Sequence, residues 1–225
     1  MLSTPVAVTS GDVSLAGDLT VPDEATGVVL FAHGSGSSRH SPRNQAVAAT
    51  LREAGLGTLL FDLLTPDEEA DDVITGIHRF DIALLGRRLT GAVDWLVARS
   101  SDLPLGLFGA STGAAAALAT AAERPEHVRA VVSRGGRPDL AGDHVLEQVR
   151  APVLLLVGGR DEVVLRLNQE AQAKLRAAPS QLEVIEGATH LFEEPGALDE
   201  VAVAAARWFS DHIGRSGGSG GHAIP

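Results

Sequence analysis

Hydrophobic residues along this chain fall into short continuous runs, separated by stretches in which they recur every three or four positions. Val6–Val8 and Val13–Val21 predict an N-terminal hairpin with Ser10-Gly11-Asp12 as its turn. Val28–Ala32 is a buried run ending in His33-Gly34-Ser35-Gly36, and Leu56–Phe61, Leu105–Phe108, Val128–Ser133, Val153–Val157 and Leu182–Ile185 are further runs of strand length. Between them, Gln45–Ala54 carries Val47 and Leu51 on one face and stops at Gly55. Phe80–Ala98 aligns Ile82, Leu85, Leu89, Val93 and Leu96 in one stripe. Ser111–Glu123 (alanine-rich, ended by Pro125), Leu167–Ala177 and Ala197–His212 read as helices, and Thr65–Asp72 reads as an acidic loop. Alternation of this kind predicts an α/β fold, a parallel sheet with helices on both faces.

Composition narrows the chemistry. The 225 residues fit a single domain, placed at residues 1–213; residues 214–225 are Gly/Ser-rich without apolar period and read as a flexible linker or appended tail outside the fold. A net charge of −11 argues against a nucleic-acid groove, which needs clustered cations. Lys174 is the only lysine among 18 basic residues, so no lysine lies near the serine motif below to act as a base. The absence of cysteine excludes disulfides, thiolate metal sites and a cysteine nucleophile. Met1 to Val13 lacks a basic segment followed by a long apolar run, and no stretch approaches the ~18 apolar residues of a membrane span. The expectation is a soluble cytoplasmic protein, monomer or homodimer, without membrane or nucleic-acid partners.

Gly-x-Ser-x-Gly occurs three times, at Gly109–Gly113, Gly214–Gly218 and Gly217–Gly221. The pattern alone is therefore weak. Only Gly109-Ala110-Ser111-Thr112-Gly113 lies between a buried strand and a helix, the setting in which a sharp turn lifts a serine oxygen out at the strand's C-terminal edge. A helix N-cap in a Gly-rich turn is the competing reading of Ser111. A serine nucleophile needs a base, and of the eight histidines His190, in Gly187-Ala188-Thr189-His190, directly follows the last strand. The carboxylate that orients it should also end a strand, and Val153–Val157 leads through Gly158-Gly159-Arg160 to Asp161, taken ahead of its neighbour Glu162. Thr112 N–H, at a helix start, and Ser35 N–H, in the glycine-rich loop after Val28–Ala32, are the expected oxyanion donors. His33 is read as shaping that loop.

This loop lacks Gly-x(4)-Gly-Lys-Ser/Thr and a correctly spaced third glycine, so neither a phosphate-binding nor a dinucleotide reading fits. Gly34, Arg39, Arg134 and Arg137 fall in loops at the same sheet edge as substrate-binding candidates, solvated loop arginines being the alternative. The acidic run Asp67–Asp72 carries no metal-ligand geometry and reads as a solvated face.

Together, His33-Gly34-Ser35-Gly36, Gly109–Gly113, Asp161 and Gly187–His190 resemble the α/β-hydrolase superfamily, and in particular its small dienelactone-hydrolase-like branch, over about residues 13–212. The resemblance implies a mostly parallel, eight-stranded sheet and hydrolysis of an ester or related acyl bond, with no cofactor and no metal. One departure stands out: dienelactone hydrolases proper use a cysteine nucleophile, so Ser111 turns the expectation toward a general carboxylesterase acting on a small-molecule ester. Many relatives insert a helical cap after the strand equivalent to Val128–Ser133; here only Arg134 to Arg150 intervenes, which implies an open pocket and no large cap domain. The alternatives that the sequence leaves open are lactone or amide hydrolysis, acyl transfer or perhydrolysis by the same triad, and a non-catalytic binding module on the same fold.

Overall fold

A computed structural model describes residues 3–99 and 103–213, and over them the apolar runs assemble into one eight-stranded sheet. β1 (Thr4–Ser10) and β2 (Val13–Thr20) form the antiparallel hairpin, turning on Gly11 at φ 60°. β3 (Val28–Ala32), β4 (Gly57–Phe61), β5 (Leu105–Ala110), β6 (Val128–Arg134), β7 (Val153–Gly158) and β8 (Ser180–Ile185) are mutually parallel, and β2 joins them antiparallel to β4. The order is β1-β2-β4-β3-β5-β6-β7-β8.

The central strands are continuous apolar runs because both faces are covered. Alternate residues serve two cores. Val28, Leu30, Leu105 and Leu107 pack beneath α3 (Ile82–Val97) and α4 (Thr112–Glu123), whereas Val29, Phe31 and Phe108 pack beneath α1 (Pro42–Glu53) and α7 (Ala197–Ile213). Between β6 and β7 stand only a 3₁₀ turn, Pro138–Ala141, and the six-residue α5 (Asp143–Gln148), so no large cap covers the sheet edge. No helix among the described residues is long and apolar enough to cross a membrane.

Three elements differ from the sequence reading. The acidic stretch from Thr65 is a helix, α2 (Pro66–Thr75), not a loop. Thr65 and Glu68 form a reciprocal capping box, Pro66 sits at the first helical position, three acids occupy the first turn and Gly76 closes the end at φ 67°. α1 begins three residues early because Ser41 caps it ahead of Pro42. α6 (Glu162–Gln172) begins immediately after Asp161, five residues before the expected start, and it ends earlier too.

Candidate active site

Ser111, the single residue between β5 and α4, absorbs the reversal of the chain at φ 50°, ψ −118°. Such angles in a non-glycine residue cost about 1–3 kcal/mol and persist only where the surroundings fix them. Here the backbone does so. Ser111 N–H donates to the Arg134 carbonyl at 3.2 Å, and the Ser111 carbonyl accepts from Ala114 N–H and Arg137 N–H, each at 3.1 Å. A β-carbon at Gly109 would stand 2.4 Å from Ala114 Cα, and one at Gly113 2.2 Å from the Ala32 oxygen, so strand, turn and helix meet backbone to backbone. The Ser111 side chain makes no cap bond to α4. The other two Gly-x-Ser-x-Gly matches and the rest of residues 214–225 lie outside the described residues.

The loops after β7 and β8 are laced together and bring Asp161 to His190. Gly159 N–H donates to the Ile185 carbonyl and Arg160 N–H to the Ala188 carbonyl, both at 2.9 Å. A β-carbon at Gly158 would come within 2.5 Å of the Ala188 oxygen. The His190 loop is pinned by Phe192, 2% exposed and held at φ 57°, and by Thr189 N–H donating to the Glu194 carboxylate at 3.1 Å. His190 Nδ1 then lies 2.6 Å from Asp161 Oδ2. A carboxylate can only accept, so Nδ1 carries a proton, and in the neutral ring Nε2 holds the lone pair. Gly135 ties this pair to the nucleophile: a β-carbon there would lie 3.5 Å from His190 Nδ1, and Gly135 directly follows the residue whose carbonyl holds Ser111 N–H. No hydrogen bond joins Ser111 Oγ to His190 among the described residues, a contact that commonly tightens only around substrate.

The loop after β3 packs onto the elbow through Gly34, where a β-carbon would lie 3.2 Å from both the Ala110 oxygen and Ser111 Cβ. His33 fixes the loop. Its Nε2 accepts from Leu63 N–H and its Nδ1 donates to the Gly34 carbonyl, each at 3.0 Å. Burial lowers the His33 pKa from its ordinary value, outweighing the Gly34 bond and the nearby Asp62 and Glu69 charges, so the ring is a neutral brace. Ser35 follows in this loop, and Thr112 opens α4, where N–H groups have no intrahelical acceptor. Both residues line a narrow cleft, together with Leu63, Leu64 and Leu85.

Arg79 lines the same cleft and went unnoticed in the sequence. Asp72, 1% exposed, aims it: the carboxylate accepts from His78 N–H and Arg79 N–H at 2.8 and 2.9 Å and from Arg79 Nε at 2.6 Å. Burial pushes the Asp72 carboxyl up, but the Arg79 backbone and guanidinium outweigh it and hold it below the usual carboxylate range. The capping box at Thr65-Pro66-Asp67-Glu68 was the available signal, since a helix there puts Asp72 in its last turn.

The three arginines expected in loops separate in space. Arg39 is neutralised by Asp62 and, at 3.3 Å, Asp18; Arg137 is neutralised by Asp139 through two bonds of 2.8 Å. Arg134 is not a loop residue at all: it ends β6 and is 7% exposed. Among the described residues no group of three or more His, Cys, Asp or Glu is placed to hold a metal ion.

The model of the alpha/beta hydrolase domain family matches residues 25–206. The crystal structure of a dienelactone hydrolase from Anabaena variabilis ATCC 29413 is 55% identical, covers 94% of this chain and 98% of that one, and superposes with a TM-score of 0.91. Est1E from Butyrivibrio proteoclasticus, at 15% identity with 93% and 98% covered and a TM-score of 0.75, shares the fold. A Mycobacterium tuberculosis H37Rv protein named "Putative phosphoribosyl transferase" is 58% identical over 217 residues, which is 96% of this chain and 48% of that protein. The chain thus spans about half the length of this curated relative.

Proposed function

The chain belongs to the α/β-hydrolase family, in its dienelactone-hydrolase-like branch, and within it we propose that this protein is a serine carboxylic-ester hydrolase. One observation carries the reading: the strained Ser111 elbow shares a sheet edge with a His190–Asp161 pair at 2.6 Å whose ring has its free nitrogen available as a base. Ser111 Oγ attacks the acyl carbonyl as His190 Nε2 takes its proton, and Asp161 stabilises the resulting imidazolium through Nδ1–H. The carbonyl oxygen, now an anion, is held by the N–H groups of Ser35 and Thr112; one such donor is worth about 2.7–4 kcal/mol in the transition state. Collapse breaks the ester C–O bond, and the alcohol leaves with the proton from His190. A water, deprotonated by the same nitrogen, then frees the acid and returns Ser111.

Phosphoribosyl transfer is not carried over to this chain: the mycobacterial protein with that name is about twice its length, and the Ser111 site is built to activate a hydroxyl. Hydrolysis of 4-nitrophenyl acetate, butyrate and octanoate by the wild type and Ser111→Ala tests the reading. Turnover should disappear with the serine, and the preferred chain length measures the acyl pocket. Failure of the folded wild type to cleave any of them removes the esterase assignment.

A further inference from the structure

α2 is built inside out. Asp72 is its only buried residue, and polar contacts tie it to the body of the protein. Glu68 accepts from Arg88 Nη2 of α3 at 2.6 Å, and Asp72 accepts from Arg79 Nε at the same distance. The apolar side chains face outward instead. Val73, Ile74, Ile77 and Phe80, four large apolar residues within eight positions, are 61–85% exposed. A surface helix normally turns its apolar stripe onto the core. Single exposed apolar side chains are ordinary, but a cluster of four on one short segment marks a binding surface. The segment is also preorganised. Asp72 accepts from the N–H groups of His78 and Arg79, and Arg79 Nη2 donates to the Asp72 carbonyl at 2.6 Å, so the end of α2 and the 3₁₀ turn His78–Phe80 form one unit.

Its position names the occupant. Glu69 and Arg79 line the cleft beside the oxyanion loop, whose Gly34 packs against Ser111. Val73 follows Glu69 by one turn and shares its side of α2, while Ile77 and Phe80 stand on either side of Arg79 in the chain. The patch is thus the rim of a cleft whose wall of Leu63, Leu64 and Leu85 is apolar too. No large cap between β6 and β7 covers an acyl chain that extends beyond the cleft, so this rim is an apolar surface for such a chain to lie on. Asp67 and Asp71 are exposed on the same helix, in a chain carrying −11, which disfavours an anionic lipid surface or a free carboxylate here.

We propose that Val73, Ile74, Ile77 and Phe80 form an acyl-chain subsite at the rim of the Ser111 cleft, selecting esters with an extended, uncharged apolar acyl group. The subsite names the substrate class of the reaction proposed above and rests on Ser111 being its nucleophile, but binding of the chain can be measured without turnover.

Two measurements decide it. First, kcat/KM is compared for 4-nitrophenyl octanoate and butyrate, both kept below micellar concentrations. The octanoate-to-butyrate ratio should exceed one in the wild type and fall at least tenfold in Val73→Ser/Ile77→Ser/Phe80→Ser. Tenfold corresponds to about 1.4 kcal/mol, the burial of roughly two methylene groups. The three positions are exposed, so Tm should stay near that of the wild type, and Val73→Leu/Ile77→Leu/Phe80→Leu should hold the ratio. Second, Ser111→Ala protein is titrated with octan-1-ol by calorimetry. Saturable binding that the three serines weaken at least tenfold is expected. A wild-type ratio of one or below overturns the proposal and leaves the esterase reading intact. So does an equal loss on both esters, or a fall in the leucine variant as large as in the serine variant. Binding to phosphatidylcholine vesicles, or dimerisation in the ultracentrifuge, that the serines abolish at an unchanged ratio also overturns it, because the patch then belongs to a bilayer or a second copy. If neither ester is cleaved the esterase reading fails, and the octanol titration alone decides the subsite.

Discussion

Replacing His33 by Phe separates a histidine that holds the site from one that works in it. The imidazole satisfies a buried N–H of Leu63 and donates to the Gly34 carbonyl, both at 3.0 Å. A phenyl ring fills similar space and does neither. Orphaning the Leu63 N–H costs about 1–3 kcal/mol, and the lost bond to Gly34 adds about 0.5–1.5 kcal/mol, so the expected destabilisation is about 2–4 kcal/mol. For a domain of this size each kcal/mol moves Tm by about 2–4 °C, which puts the fall at roughly 5–15 °C by calorimetry. His190→Phe should do the reverse: its ring is part-exposed and bonded once, so Tm should move by little while turnover disappears. The two also differ in pH response. The folded pKa of His33 lies below its ordinary 6.5, so the unfolded chain binds the proton more readily. Its contribution to stability is therefore full above pH about 6.5 and falls as pH drops below that value, and His33→Phe should flatten this limb. A His33→Phe melting point within 2 °C of wild type, or an unchanged slope below pH 6.5, would refute the account of His33 as a neutral brace.

Asp161→Asn should fold normally yet reduce kcat about 10⁴-fold, because an amide can impose the wrong His190 tautomer; single-turnover kinetics on 4-nitrophenyl butyrate would measure it. Gly113→Ala should yield no soluble protein, since its methyl would stand 2.2 Å from the Ala32 oxygen, whereas Gly34→Ala, with contacts of 3.2 Å, should fold and lose kcat as the oxyanion loop is pushed off Ser111. Comparing soluble yield and turnover for the pair checks both. Thr65→Ala removes the capping box of α2 and should cost about 1 kcal/mol, seen as a Tm lower by a few degrees.

Periodicity carried most of the fold because the elements that build it obey it strictly: β3, β5 and β7 are buried on both faces and read as unbroken apolar runs. α2 was missed for the converse reason. Its Val73 and Ile74 are 72% and 85% exposed, so no buried stripe exists to give it a period, and only its capping chemistry marks it. The candidate site residues Ser111, Asp161 and His190 lie in the connections that follow β5, β7 and β8, and parallel strands deliver such connections to a common edge. Order along the chain sufficed for that.

The arginines show where that reasoning stops. Arg39, Arg134 and Arg137 look alike in sequence, three cations near strand ends, and the difference between them is entirely one of partners brought from elsewhere in the chain. Arg39 meets Asp62 and Asp18, more than twenty residues away in either case, and so becomes part of the scaffold. Arg137 folds back on Asp139 and is neutralised locally. Arg134 gains burial instead of a partner, because β6 runs one residue further than its apolar run and carries the guanidinium inward against Phe192. A buried cation is stable only with a counter-charge, and the described residues supply none to Arg134. Arg134→Met tests that logic on stability alone: removing an unpaired buried charge should leave Tm unchanged or raise it, whereas a drop of several degrees would mean that the fold itself depends on the cation.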